Sequence, residues 1–512
     1  MKKYIYFSFF TLLSFSLILI SCGKDDSPKI VAENPEITGF TPEEGPVGTA
    51  VTINGKNFSA TAAANIVKIG TTVVPVTSAT ATKLMVTIPE GATTGRISIT
   101  LDDYTYSSAK TFTVTEAEPT AITLNKTELE LFTLDSETLS IVSGADEGDT
   151  ITWSSADENI ATIDENGMIT ALSAGSTTIK AMVGNLQASC ELLIKPSVFA
   201  VGYEVINGIE VSVIWKNGKP TNLTDGTKLS VATSVFVYGT NIYVSGIESN
   251  QNNLPSAKVW KNGESLYTLS DENNYGVAHS IYVFDEEIFI AGSETDEDDI
   301  ANATIWKNGV TYATLSNNDN DGSLASGIFV NQTNIYTAGH KESEQNIDGT
   351  AKLWTNTTQE DLTDEINHSR ALSVYAIGSD VYVAGYEENE NGMDIAKIWI
   401  NGQSTDLTDG SKDAEAQSIF VMGQDVYVAG TCYGDDESLD QAVVWKNGEP
   451  TNLGTSDSAA SSVYVYGNDI YVGGGIYQGE IVNATVWKNG VPLELELTEE
   501  TEESAVLSIF VK

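Results

Sequence analysis

The run Gln417-Ser418-Ile419-Phe420-Val421, Gly423-Gln424-Asp425, Val426-Tyr427-Val428-Ala429-Gly430 is followed by a variable acidic loop. After the loop come Ala442-Val443-Val444-Trp445, the turn Lys446-Asn447-Gly448, and Pro450-Thr451-Asn452-Leu453. These are four short β-rich runs in one unit. Asn-Gly between two of them is a strong hairpin signal, because both turn positions need positive φ. The unit recurs. Tryptophans stand at Trp215, Trp260, Trp306, Trp354, Trp399, Trp445 and Trp487, at intervals of 45, 46, 48, 45, 46 and 42 residues. Six are followed by x-Asn-Gly, whereas Trp354-Thr355-Asn356-Thr357 lacks the glycine. Four strands per unit at this period predict β-propeller blades.

The ends set the blade count. Leu507-Ser508-Ile509-Phe510-Val511 reads as a first strand only, and Val198-Phe199-Ala200-Val201-Gly202-Tyr203 reads as a second strand. The carboxy-terminal run is therefore expected to complete the first blade and close a seven-bladed ring, which leaves no open blade edge. A small residue precedes each tryptophan by three positions: Ser212, Ala257, Ala303, Ala351, Ala396, Ala442 and Ala484. A large residue repeated beside a small one suits blade-on-blade packing better than an aromatic binding ring. The pattern has a loose likeness to kelch propellers, but Trp-x-Asn-Gly is not their signature, and no propeller family is assigned.

The 512 residues include 71 Asp plus Glu against 26 Lys plus Arg, a formal charge of −45. Such a polyanion repels nucleic acid and anionic membrane surfaces, so no nucleic-acid partner is expected. Arginine occurs only at Arg96 and Arg370. The cysteines Cys22, Cys190 and Cys432 supply neither a disulfide framework nor a zinc cluster.

Lys2, Lys3 and the apolar run Tyr4 to Ile20 read as a signal peptide, residues 1–21. It ends in Leu19-Ile20-Ser21-Cys22, which resembles the lipobox of bacterial lipoproteins. The resemblance implies that Cys22 is acylated, and multiple acyl chains anchor stably. Gly23-Lys24-Asp25-Asp26 resembles the acidic signal that sends lipoproteins of the Bacteroidota to the cell surface. Residues 22–34 are expected to form a tether, so contact with the outer membrane runs through the lipid alone.

Residues 35–115 alternate β-branched and polar residues between Gly/Pro turns. Pro35-Glu36-Ile37, Phe40-Thr41-Pro42, Gly45-Pro46-Val47-Gly48-Thr49, Val51-Thr52-Ile53-Asn54-Gly55 and Asn57-Phe58 carry a resemblance to IPT/TIG domains. Residues 117–195 contain Ile151-Thr152-Trp153-Ser154-Ser155, Ile160-Ala161-Thr162-Ile163-Asp164 and Ala174-Gly175-Ser176-Thr177. They resemble the bacterial immunoglobulin-like group 2 domain. Both resemblances imply β-sandwiches that serve as spacers. Trp153 is expected in a core, and Cys190 as a buried structural thiol. The fold class is thus all-β: two immunoglobulin-like sandwiches, then a propeller over residues 196–512.

In each repeat the strand 1–2 turn and the strand 3–4 hairpin are short, whereas the other two connections are long and variable. Those two emerge on one face, and a ligand site is expected there. The face offers Tyr203, Tyr275, His279, His340, His368, Arg370, Tyr386, Tyr433 and Tyr477 among acidic loops: Glu294 to Asp299, Glu387-Glu388, Asp435-Asp436-Glu437 and Glu499 to Glu503. Tyrosines beside carboxylates and amides suit sugar recognition. Asn317, Asp319, Asp321 and Gly322 partly match a calcium loop, but Ile328 stands where its glutamate belongs. No cofactor is expected beyond weak Ca2+ binding. His-Glu-x-x-His and Gly-x-Ser-x-Gly are absent from the sequence. The expected function is a monomeric, non-enzymatic surface lipoprotein binding a glycan or a protein. A propeller glycosidase or lyase, and a structural envelope scaffold, are the alternatives.

Overall fold

The computed structural model describes residues 34–315, 321–342, 349–364, 366–434, 439–498 and 501–512. Cys22, the signal peptide, Asn317, Asp319 and the Asp435-Asp436-Glu437 loop lie outside them. Contacts divide the chain into two units, residues 1–120 and 121–512.

The first unit is a sandwich. One sheet has the order Glu36–Thr41, Ala50–Lys56, Lys83–Thr87, Val76–Thr80. The other has Glu44–Gly45, Tyr104–Val114, Gly95–Leu101, Ile66–Ile69, Thr72–Val74. Alternating residues of each strand face inward, and Val51, Ile53, Val67, Ile69, Leu84, Ile97 and Phe112 are fully buried between the sheets.

The second unit opens with another immunoglobulin-like fold. Glu128–Phe132, Leu186–Lys195, Gly175–Val183 and Ile151–Ser155 form its larger sheet. Cys190 is fully buried there with Ile179 and Leu192, and burial pushes its thiol pKa up. Trp153 departs from expectation. It is half-buried and packs on the margin of this core rather than inside it.

Seven four-stranded sheets follow. In blade one the order is Thr501–Val511, Val198–Ile206, Ile209–Lys216, Lys219–Asn222, so the last strand of the chain is the innermost strand of the first blade. It pairs antiparallel from Val198↔Val511 to Ile206↔Thr501. The main chains of Ser197 and Lys512 exchange two further hydrogen bonds of 2.8 and 3.0 Å. Glu204, fully buried in this blade, accepts hydrogen bonds from the Thr501 hydroxyl (3.0 Å) and the Thr498 amide (3.3 Å). The remaining innermost strands are Ser230–Tyr238, Gly276–Phe284, Ser323–Val330, Ser369–Ile377, Ala414–Met422 and Ser458–Tyr466. All seven contact one another in a closed circle.

Each of the seven blade tryptophans is at most 1% exposed and is embedded in the preceding blade. Trp399 of blade five lies with Ala338, Ala351 and Leu353 of blade four, and Trp215 of blade one lies with Tyr471 and Val486 of blade seven. The small residue three positions earlier does more than make room. Its amide donates to a hydroxyl of the next blade: Ser212 to Ser230, Ala303 to Ser323, Ala351 to Ser369, Ala442 to Ser458 and Ala484 to Ser504, at 2.9–3.2 Å. Where the next inner strand begins with Gly276 or Ala414, Ser270 or Thr408 supplies the hydroxyl.

The turn asparagines also have two tasks. Asn447 adopts φ 54° and Gly448 φ 84°, as a tight hairpin requires. The Asn447 side-chain oxygen meanwhile accepts the Val426 amide at 2.9 Å and its own amide donates to the Val426 carbonyl, pinning the hairpin to strand two. Every repeat keeps this pairing, including Asn356, whose amide donates to Ile335 and whose side chain accepts from it.

The inner strands close the axis. Phe236, Tyr282, Phe329, Tyr375, Phe420, Tyr464 and Phe510 form an unbroken circle of tilted ring contacts, with centroids 4.6–5.2 Å apart. Just outside this girdle each inner strand carries a bulge, at Leu507, Thr233, His279, Ser326, Leu372, Gln417 and Ser461. Opposite it, strand two has a glycine. A Cβ on Gly385 would sit 1.9 Å from the Arg370 carbonyl oxygen.

Replacing a blade-spanning indole opens a void shared by two sheets. Trp399→Ala is expected to cost about 3–5 kcal/mol of stability. Equilibrium denaturation reads this directly, and a loss under about 1 kcal/mol is incompatible with the packing.

Candidate functional site

The immunoglobulin-like domain and the variable loops occupy opposite edges of the ring. The Thr133 hydroxyl donates to the Lys512 carbonyl (2.5 Å) and accepts the Ser197 amide (3.0 Å), and Lys216 pairs with Asp135 at 2.6 Å. These contacts lie at the edge of the short turns. The opposite edge, at the start of the inner strands, carries the long loops and most of the expected site residues.

Tyr203, His340 and Tyr386 occupy one repeat position, directly after the strand-two glycine of blades one, four and five. Tyr433 and Tyr477 stand two residues beyond it in blades six and seven. Arg370 is the second residue of the inner strand of blade five, His368 lies just before that strand, and His279 is the bulge residue of blade three.

These side chains build an arc with two polarities. Blades three to five carry its basic part. His368 Nε2 lies 3.2 Å from the Tyr386 hydroxyl, with the two rings 5.3 Å apart. His340 is 3% exposed and close enough to Arg370 to feel its charge. Blades six, seven and one carry the acidic part. Glu415 accepts hydrogen bonds from Gln417 and Tyr433. Tyr203 donates to Glu503 at 3.2 Å, and burial beside that carboxylate pushes its phenol up to about 12. Burial also raises the carboxyls of Glu415 and of Asp394, an acid of blade five that stands within the basic part, and Arg370 partly offsets both shifts. Tyr275 stands apart, 46% exposed.

Among the described residues, four buried nitrogens in the basic part have no hydrogen-bond partner: His279 Nε2, His340 Nδ1, His368 Nδ1 and Arg370 Nε. An unsatisfied buried polar group costs about 1–3 kcal/mol, so nitrogens gathered in this way favour a ligand that brings hydrogen-bonding groups to them. Many loop carboxylates, by contrast, are occupied by their own turns. Asp225 accepts from Thr227, Asp409 from Ser411, and Asp296 from the Asp298 and Ile300 amides, which lowers the pKa of each. Asp321 lies 3.7 Å from Lys341. Among the described residues, no group of three His, Cys, Asp or Glu is placed to share a metal ion.

The inner aromatic girdle is absent from the sequence expectations. Its signal was present: Ser-[Ile/Val]-[Phe/Tyr] recurs at Ser234, Ser280, Ser373, Ser418, Ser462 and Ser508. Tyr282 is pushed up to about 12 by burial. A separate cavity of about 460 Å3 lies at the opposite edge, between blades seven and one and the immunoglobulin-like domain. Phe132, Trp215, Tyr471 and Leu495 line it, and its Lys195 and Lys488 are ion-paired with Glu130 and Asp469. None of its lining residues carries a buried polar atom without a partner. It is a packing seam rather than a prepared site.

Residues 35–114 match the IPT/TIG domain and residues 118–192 the bacterial Ig-like domain (group 2). The chain therefore carries both modules, although neither match reaches the propeller. An uncharacterized protein of Clostridium acetobutylicum is 44% identical over 80 residues, 15% of this chain and 8% of that protein. Ice-binding protein 1 of Shewanella frigidimarina is 27% identical over 192 residues, 36% of this chain and 19% of that protein. The chain thus spans less than a fifth of either curated relative.

Among solved structures, an auxiliary nutrient binding protein from Bacteroides thetaiotaomicron covers 72% of this chain and 98% of its own, at 13% identity and a TM-score of 0.20. The β-propeller domain of the Trilobed protease from Pyrococcus furiosus covers 64% and 96%, at 11% identity and a TM-score of 0.36. Likeness of this degree assigns neither ligand nor activity. Among the described residues no helix is long and apolar enough to cross a membrane.

Burial holds His279 down to about 4, and holds His340 down to about 3 with help from the Arg370 charge. Both values lie below the ordinary value of 6.5, so the unfolded chain binds protons that the folded chain refuses. Their contribution to stability is complete above pH 6.5 and is lost as pH falls from there toward 4 and 3. Each histidine contributes a slope of at most about 1.4 kcal/mol per pH unit. His340→Gln is expected to lose less stability than the parent between pH 7.5 and pH 5, as read by denaturant titration. Equal losses in the two proteins would contradict a buried neutral imidazole.

Proposed function

We propose that this chain is a lipid-anchored protein of the outer cell surface. The propeller rim binds a glycan, and the IPT/TIG and immunoglobulin-like domains hold it away from the membrane. The reading rests chiefly on the gathering of buried, unpartnered histidine and arginine nitrogens with Tyr203, Tyr386, Tyr433 and Tyr477 on the loop-bearing edge. Phenol rings supply flat apolar surfaces and hydroxyls, while carboxylates and imidazoles supply directional acceptors and donors. A polyol with apolar faces uses that combination well. The edge opposite the rim is taken up by the immunoglobulin-like domain, which leaves the rim to the ligand. Acylation at Cys22 supplies the anchor, and no catalytic step is invoked.

Two measurements test this reading. The full chain is expected to bind at least one glycan class on an array, and Tyr433→Ala to weaken that binding about tenfold or more, the loss of one good polar contact. A blank array overturns the glycan assignment. Cys22→Ser is expected to abolish incorporation of labelled fatty acid and to release the protein from the membrane fraction. Persisting label in that variant would remove the anchor from the proposal.

A further inference from the structure

We infer that the basic arc of blades three to five is a subsite for a carboxylate carried by the ligand, so that the preferred glycan contains a carboxylated sugar. This deepens the glycan reading and rests on it.

The first ground is distribution. The chain has three histidines and two arginines. All three histidines and Arg370 converge on neighbouring blades of one rim. The repeat itself asks for none of them. At the Arg370 position the other blades hold Ala505, Val231, Val277, Leu324, Glu415 and Ala459. At the bulge of blade two, Thr233 donates to the Ala278 carbonyl of the next blade at 2.5 Å. The imidazole of His279 at the equivalent place leaves Nε2 without a partner.

The second ground is the state of the donors. Lysines in the same blades are committed: Lys341 to Asp321, Lys352 to Asp361, and Lys397 to Glu387 and Asp406. Among the described residues Arg370 has no ion pair, and its Nε is buried and unpartnered. Asp394 of the same blade and Glu415 of the next both feel the Arg370 charge, yet neither is ion-paired with it, and Glu415 takes its hydrogen bonds from Gln417 and Tyr433 instead. His340, almost wholly buried, likewise keeps Nδ1 free. The ring of His340 is held from behind, since a Cβ on Gly349 would lie 2.6 Å from its Cδ2. A guanidinium offers only donors, in a planar fork that matches a carboxylate. A chain of net charge −45 tolerates one carboxylate near an arginine far better than a doubly charged phosphate. No metal-binding group competes for these nitrogens among the described residues.

The test is calorimetric titration of the full chain with oligogalacturonate, alginate oligosaccharide and sialyllactose, each beside its carboxyl-reduced neutral form. At least one acidic probe is expected to bind about tenfold or more tighter than its reduced form. Arg370→Leu, a residue the same fold position accepts as Leu324 in blade four, is expected to erase that preference and keep the parent melting temperature. Arg370→Lys is expected to retain part of it. Equal affinity for acidic and reduced forms, or a preference that survives in Arg370→Leu, overturns the carboxylate subsite. So does failure of all three acidic probes to bind. Binding of neutral glycans in any of those cases leaves the broader glycan reading standing, and a blank array besides removes both.

Discussion

No blade of this propeller owns a complete core. One indole from each sheet is seated among the alanines and valines of the sheet before it, and the seven clusters of buried side chains each draw on two blades. Such units stabilise one another only as neighbours, and a linear stack would leave an apolar face bare at each end. The ring therefore depends on Trp215 reaching blade seven. That happens only because Thr501–Val511 lies beside Val198–Ile206. Burial of Glu204 under Thr498 and Thr501 then makes this blade chemically distinct from the other six.

Periodicity made the large architecture readable in advance. Tryptophan spacing, Asn-Gly turns and the split first blade each carry one-dimensional information about contacts that are themselves periodic. What escaped was radial position. Phe236 and Tyr282 look like any strand residues in a line of text, and only the curvature of the ring brings them together on the axis. The small residue before each tryptophan is a steric allowance that sequence shows, yet its amide is equally a donor to the next blade, which sequence does not show. Trp153 sits on the margin of its core because its strand ends the sheet, and a tryptophan in a β-run signals a core without registering which strand is last.

The candidate site was legible in part for the same reason. Tyr203, His340 and Tyr386 follow equivalent glycines, so the repeat placed them on one face. The sequence could not distinguish occupied from unoccupied side chains. Asp225, Asp296 and Asp409 prove to be busy folding their own loops, while among the described residues one ring nitrogen of each histidine and the Arg370 Nε have no partner. The acidity that dominates the composition is therefore largely a property of turns and solvated surface. The rare cationic and imidazole groups carry the specific information.

The domain boundary has a mechanical consequence. The chain enters the ring at Ser197, and the strand that begins there is an interior strand of its sheet, flanked by Thr501–Val511 on one side and Ile209–Lys216 on the other. Tension between the rim and the amino-terminal side is thus applied along a strand whose two neighbours run antiparallel. It loads both ladders of hydrogen bonds in shear, all at once, instead of peeling an edge one bond at a time. The splice that shuts the ring also makes it hard to pull apart.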